Sequence, residues 1–354
     1  MANYKLPEPK DFLGNIHGKN THLFVLTNEF GMQIALTDYG ARLVSALIPD
    51  KHGNLVDVIL GFGSIKGYLS AKEQYHGATI GRYANRIANG KFVLGDTTYE
   101  LDLNNGPNSL HGGVEAFHTK VWDRQISNFK KRIDFYYVSP DGEEGFPGKL
   151  KTHVSYELTD NNEIVIRFRA TTDKTTVVNL TNHAYFNLNG EGTGDVLHHL
   201  LHIPSEEYLP INKNQIPLGK PHRVQDTAFD FTSPRKIADS ISNQKEEQLQ
   251  FANGYDHGFV NTQPFSVPAA SAYSEQSGIT LDVLTTEPSV HLYTGNFLAD
   301  DLGKSGQKYL RHGGFCFEAQ HYPDSPNQQQ FPNVILQPGE VFASTVIYRF
   351  GLKK

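Results

Sequence analysis

Apolar and polar positions alternate with period two along much of this chain, the pattern of strands with one buried face. It is clearest on either side of Asp160-Asn161-Asn162. Val154, Tyr156 and Leu158 alternate with Ser155 and Glu157 before that turn. Ile164, Ile166, Phe168 and Ala170 alternate with Val165, Arg167 and Arg169 after it. This spacing predicts an antiparallel hairpin. A second hairpin is predicted at Gly95-Asp96, between the strand-like runs 92–94 and 98–103. Residues 23–26, 33–36 and 56–60 read as further strands. Val334-Ile335-Leu336, the turn Gln337-Pro338-Gly339-Glu340 and residues 342–348 repeat the grain. Helical spacing is confined to 245–251 and, more weakly, to 65–73. Strands joined by long loops predict an all-β protein, a large antiparallel β-sandwich with few short helices.

Composition changes this picture little. A length of 354 residues by itself suggests two domains at about 150 residues each. Yet the glycines and prolines are spread evenly and mark no boundary, and no repeat or linker is visible. Formal net charge is 32 − 38 = −6, with no basic block, which argues against nucleic acid or an anionic membrane as partner. No apolar stretch resembles a signal peptide or reaches membrane-spanning length. The lone Cys316 precludes an intramolecular disulfide and suits a reducing compartment. A soluble, cytoplasmic protein is expected, so the sequon Asn179-Leu180-Thr181, in a strand-like run, reads as chance.

Two strings carry candidate chemistry. His183 stands in Asn182-His183-Ala184-Tyr185-Phe186-Asn187 behind a strand-like run, and modest tuning of an ordinary imidazole leaves it able to donate a proton near neutral pH. Glu318 stands in Gly314-Phe315-Cys316-Phe317-Glu318-Ala319-Gln320, where lost solvation should raise its pKa and make it a stronger base. An imidazole and a carboxylate facing one small substrate can exchange protons with it at two points, the minimum for opening and closing a hemiacetal ring. The plain alternatives are a core histidine and a solvent-facing strand glutamate. Arg82, Asn85 and Arg86 in Gly81-Arg82-Tyr83-Ala84-Asn85-Arg86 suit hydroxyl recognition, or are salt-bridge partners. His111 precedes Gly112-Gly113, which permit close approach of backbone or substrate. Asp256, in Gly254-Tyr255-Asp256-His257, can accept from sugar hydroxyls or close a turn.

Other strings fail. Gly61-Phe62-Gly63 has Lys66 where a dinucleotide fingerprint needs its third glycine. His198, His199 and His202 lie on a strand-like run with no carboxylate or cysteine at ligand spacing. Glu143 and Glu144 are adjacent, a poor pair for glycoside cleavage.

Six strings in order resemble the aldose 1-epimerases, the galactose mutarotases. They are Gly81 to Ile87, Pro107 to Gly113, Ser139 to Gly148, Asn179 to Leu188, Leu292-Tyr293-Thr294-Gly295-Asn296 and Phe315 to Asp324. The resemblance implies a single domain over 1–354 with the galactose mutarotase-like supersandwich, overriding the two-domain inference from length. It implies interconversion of the α and β anomers of free hexoses such as galactose and glucose, without metal or organic cofactor, by a monomer or weak homodimer. Glu318 is then the general base and His183 the general acid, with Asn85, Arg86, His111 and Asp256 binding the sugar. His291, in Pro288-Ser289-Val290-His291, occupies a position where related mutarotases often carry glutamine, so a contact from it would alter hydroxyl preference. The competing readings are a sugar-binding protein without chemistry, an epimerase of phosphorylated hexoses using Arg82, and a glycoside-cleaving enzyme.

Overall fold

The computed structural model describes residues 4–127, 131–243 and 245–353. Three antiparallel sheets carry the fold. The largest has nine strands, and the predicted hairpin forms its middle: Leu150–Leu158 pairs with Glu163–Thr172, Leu158 facing Ile164. Phe342–Leu352 adds to the second of these strands, so the C-terminal run is central. A four-stranded sheet holds Leu23–Thr27, Gln33–Thr37, Arg42–Pro49 and Leu55–Asp57. A five-stranded sheet runs in the order His222–Arg223, Glu207–Tyr208, Asp256–Val260, Ser289–Tyr293, Cys316–Gln320.

The alternation read in the sequence accounts for the core. Val154, Tyr156, Ile164, Ile166 and Phe168 of the large sheet are buried in one cluster. Ile34, Leu36 and Leu43 of the four-stranded sheet belong to it, as do Leu292 and Phe317 of the five-stranded sheet. Each such side chain contributes about 1.5–3 kcal/mol over its exposed state, so apolar packing common to all three sheets fixes their relation.

Three short α-helices occur among the described residues, Ile65–Ser70, Ala238–Ile241 and Glu247–Ala252. The all-β expectation therefore stands. Two runs depart from their reading. The helix expected over 65–73 starts with Ser64 capping the Gly67 amide but ends at Ser70. There Ala71 turns extended, and the amides of Lys72 and Glu73 donate to the Asp301 carboxylate instead of a preceding helical carbonyl. The strand expected over 56–60 leaves its ladder after Asp57. The Asp57 carboxylate accepts from the amides of Ala46 and Ile59, which bends the chain and lets Ile59 bridge to Phe186.

Candidate active site

The five-stranded sheet has two unlike faces, and the difference follows from register. Side chains directly opposite one another share a face, as do residues two apart. Glu318 lies opposite His291, His291 opposite Gly258, and Cys316 opposite Tyr293, which in turn lies opposite Asp256. Cys316, Glu318, His291, Tyr293 and Asp256 therefore project from one side. Phe317, Ala319, Val290, Leu292 and Phe259, at the intervening positions, point the other way into the core. An apolar underside anchors the sheet while the upper side presents the chemistry.

The facing wall comes from loops. His183 follows the strand Thr181–Asn182, and its main chain is tied to Ala78 and Gly77 at 2.9 Å each. Its Nε2 lies 3.6 Å from Glu318 Oε1. Asn85 and His111 both adopt positive φ, at 66° and 54°, where their segments lock together. The Asn85 amide donates to His111 Nδ1 at 3.1 Å, and the His111 amide donates to the Asn85 carbonyl at 3.2 Å. The close approach foreseen at Gly112 is one of backbone, since a Cβ there would sit 2.2 Å from the Gly81 carbonyl oxygen. Both terminal nitrogens of Arg86 lie 3.3 Å from Asp256 Oδ2. Asn105 accepts its Nε–H and Gln215 an Nη2–H.

These elements enclose a cavity of about 370 Å³. That is near the lower end of the ~300–1,000 Å³ range of small-molecule sites. Asn85, Arg86, His111, His183, Asp256 and Glu318 all line it, although they come from five separate stretches of chain. His291 and Arg82 do not. His291 Nε2 lies 2.6 Å from Asp256 Oδ1, so the ring acts on the carboxylate behind the cavity wall. Arg82 is directed into the protein, donating to the Pro147 carbonyl at 2.7 Å. Glu73, Tyr75, Asn104, Asn105, Gln215, Tyr185, Tyr293 and Phe297 also line the cavity, and sequence reasoning passed over them. Asn104 and Asn105 could have been noticed, because Asn-Asn-Gly-Pro is a turn signal beside the His111 string.

Burial dominates the electrostatics. It pushes Glu318 well above the usual carboxylate range, and the nearby Asp256 charge pushes the same way. The rise expected for Glu318 is thus present. Burial also pushes His183 down to about 3, which the Asp256 charge only partly opposes. The near-neutral imidazole expected at His183 is not what the structure gives, because the ring is buried beside another histidine. Both shifts favour the uncharged form of each group, carboxylic acid facing neutral imidazole. The Cys316 sulfur lies 3.5 Å from His183 Nδ1, and burial raises its thiol so that it keeps its proton.

Ligand-capable atoms of His111, His183 and Glu318 lie within 4.8 Å of one another. His111 is nonetheless a poor metal ligand. Its Nδ1 accepts the Asn85 amide, so in the neutral ring the proton sits on Nε2 and no lone pair is left for a cation. The same tautomer makes Nε2–H a donor for a ligand oxygen. Of the histidines at 198, 199 and 202, the buried His199 is committed to the main chain, its Nε2 accepting the Leu188 amide at 3.0 Å.

A sheet face bearing a buried imidazole–carboxylate pair beside a cavity of this size occurs in a fold seen before. The family model for aldose 1-epimerase matches residues 22–349. The chain is 43% identical to galactose mutarotase of Bos taurus, over 91% of this chain and 92% of that one. It is 39% identical to aldose 1-epimerase of Escherichia coli, over 94% and 96%. Among solved structures, an aldose epimerase homologue from C. elegans superimposes with TM-score 0.87 at 30% identity, covering 94% of this chain and all of the other. Galactose 1-epimerase from Lactobacillus acidophilus gives 0.85 at 31%, covering 96% and 97%. The chain belongs to the aldose 1-epimerase family.

Proposed function

We propose that this protein is a mutarotase, interconverting the α and β anomers of free hexoses such as galactose and glucose. The observation that carries the reading is the buried His183–Glu318 pair, 3.6 Å apart beside the cavity. For ring opening the proton that burial holds on Glu318 first passes to His183, 3.6 Å away. Glu318, now ionised, takes the proton of the anomeric hydroxyl while His183 delivers one to the ring oxygen. The C1–O5 bond breaks, O1 becomes the aldehyde oxygen, and rotation about C1–C2 turns the other face to O5. Closure is the reverse, with the roles exchanged. At the open-chain stage Glu318 carries the proton and His183 is neutral, the arrangement that burial favours. The cycle thus needs no proton from solvent, and the site's preferred state coincides with its least stable intermediate.

His111 Nε2–H, Asn85, Arg86 and Asp256 would bind the sugar hydroxyls, and His291 would act through Asp256. Arg86 is engaged by Asp256 and Arg82 points away, which favours a neutral hexose over a phosphorylated one. Glu143 accepts the Tyr137 hydroxyl and Glu144 the amides of Val114 and Glu115, so neither offers a second carboxylate for glycoside cleavage. The shared core supports one domain, and the same reading has it working as a monomer or weak homodimer in the cytoplasm. No described helix is long and apolar enough to cross a membrane. The test is polarimetry on freshly dissolved α-D-galactose, α-D-glucose and methyl α-D-galactoside. Faster relaxation of the free sugars alone is expected, since the methyl glycoside has no anomeric hydroxyl. A changing rotation of the glycoside would mean hydrolysis, and no effect on any sugar would return the protein to the sugar-binding reading.

A further inference from the structure

One carboxylate in the cavity has no part in that scheme. Glu73 lines the cavity with His183 and Glu318, from a segment without regular secondary structure. The segment is nonetheless pinned on both sides. Asp301 takes the amides of Lys72 and Glu73 at 3.1 Å each. The buried Arg42 guanidinium donates to the carbonyls of Gln74 at 2.7 Å and His76 at 3.0 Å, with its other donors on Tyr39 and His118 carbonyls.

The carboxylate is oriented as well. The Tyr75 amide donates to Oε1 at 3.0 Å, and the Tyr185 hydroxyl bonds to the same group. Tyr185 stacks on His183 with ring centroids 4.9 Å apart, so Glu73 is linked to the acid–base pair through one aromatic ring. An ionised carboxylate has about four acceptor positions, and two donors leave capacity for a ligand. Burial pushes Glu73 up to about 7, opposed in part by the Arg42 charge, so the carboxylate gains its charge as pH rises through neutrality.

Building on the mutarotase reading, we infer that Glu73 is a specificity-determining residue. Its carboxylate, once ionised, accepts a hydrogen bond from a hydroxyl of the bound aldose and turns away sugars that carry an anionic group. A hydroxyl donating to a charged acceptor binds more strongly than a neutral pair, and like charges brought together oppose binding.

The experiment measures kcat and KM separately by polarimetry on α-D-galactose and α-D-galacturonate, with wild type, Glu73→Gln and Glu73→Asp, at about pH 8.5 where Glu73 is ionised. Glu73→Gln should raise KM for galactose by about tenfold with kcat nearly unchanged. KM for galacturonate should stay level or fall, narrowing the discrimination. If Glu73→Gln melts early, Glu73→Asp is read in its place: it should raise KM for galactose and keep galacturonate excluded. Unchanged KM for both sugars, an equal shift for both, or a fall confined to kcat would overturn the inference. Wild type inactive on both sugars would overturn the mutarotase reading and this inference with it. An active wild type with indifferent Glu73 variants would overturn the inference alone.

Discussion

Replacing Asp256 with asparagine takes a charge from a place where its partners have no water to turn to. The Arg86 and Asp256 side chains are only 7% and 9% exposed. Burial works against ionisation at Asp256, but Arg86 and His291 outweigh it and hold the carboxyl well below its ordinary range. The charge is therefore present wherever the protein is folded. Removing one partner of a buried pair costs about 3–5 kcal/mol, because the other charge stays behind unpaired. In Asp256→Asn the guanidinium keeps Asn105 and Gln215, and the new amide oxygen still accepts from His291. The loss should thus fall near or just below the lower end, about 2–3 kcal/mol. At about 2 °C per kcal/mol for a chain of this size, Tm should drop by about 4–6 °C. Urea unfolding at pH 7 checks the first figure and calorimetry the second. A cycle with Arg86→Met isolates the pair, and its coupling should exceed about 1.5 kcal/mol. A loss below about 1 kcal/mol, or additive variants, would refute the claim that this ion pair holds the sugar-binding wall in place.

Acid should destabilise the protein before any surface carboxylate titrates. His118, His183 and His257 are lowered to about 3 and His199 to about 4, all chiefly by burial. Between those values and about 6.5 the unfolded chain binds more protons, so stability is full above pH 6.5 and is lost as pH falls. Glu73, raised to about 7, and Glu318 and Glu191, also raised by burial, have the opposite sign, but His76 and His111 are lowered too, so the histidines outnumber them. Calorimetry should show Tm falling between pH 7 and 5, and a flat profile would contradict the assignment. Cys316 should resist thiol reagents until urea is added, and Cys316→Ala should lower kcat several-fold with KM unchanged, because the sulfur touches His183 alone among the acid–base pair. A raised KM with normal kcat would count against that placement.

Much of the sheet framework was legible because period two is a strong signal where one face is buried. The hairpin from Val154 to Phe168 is read directly from it. Glu318 and Asp256 were picked out from their local strings, and for Glu318 alternation adds to this, since it stands between Phe317 and Ala319 of the core. Glu73 was missed for a physical reason. It lies where the Asp301 carboxylate and Arg42 shape the chain, and such long-range pinning leaves no periodic trace. His291 was recognised as a departure, but its reach toward Asp256 rather than the cavity follows from cross-strand register, which the local string does not display. The protonation of His183 was misjudged because burial comes from distant segments that local sequence does not display.

The central claim, one proton shared between His183 and Glu318 at the reacting atoms, is tested most directly by polarimetry of fresh α-D-galactose. Wild type, Glu318→Gln, His183→Gln and the double variant should be compared at equal concentration. The account predicts that each single variant lowers kcat by about 10²–10⁴-fold and that the double variant is scarcely worse than the weaker single, because the pair acts as a unit. Either single variant relaxing galactose at the wild-type rate would contradict it.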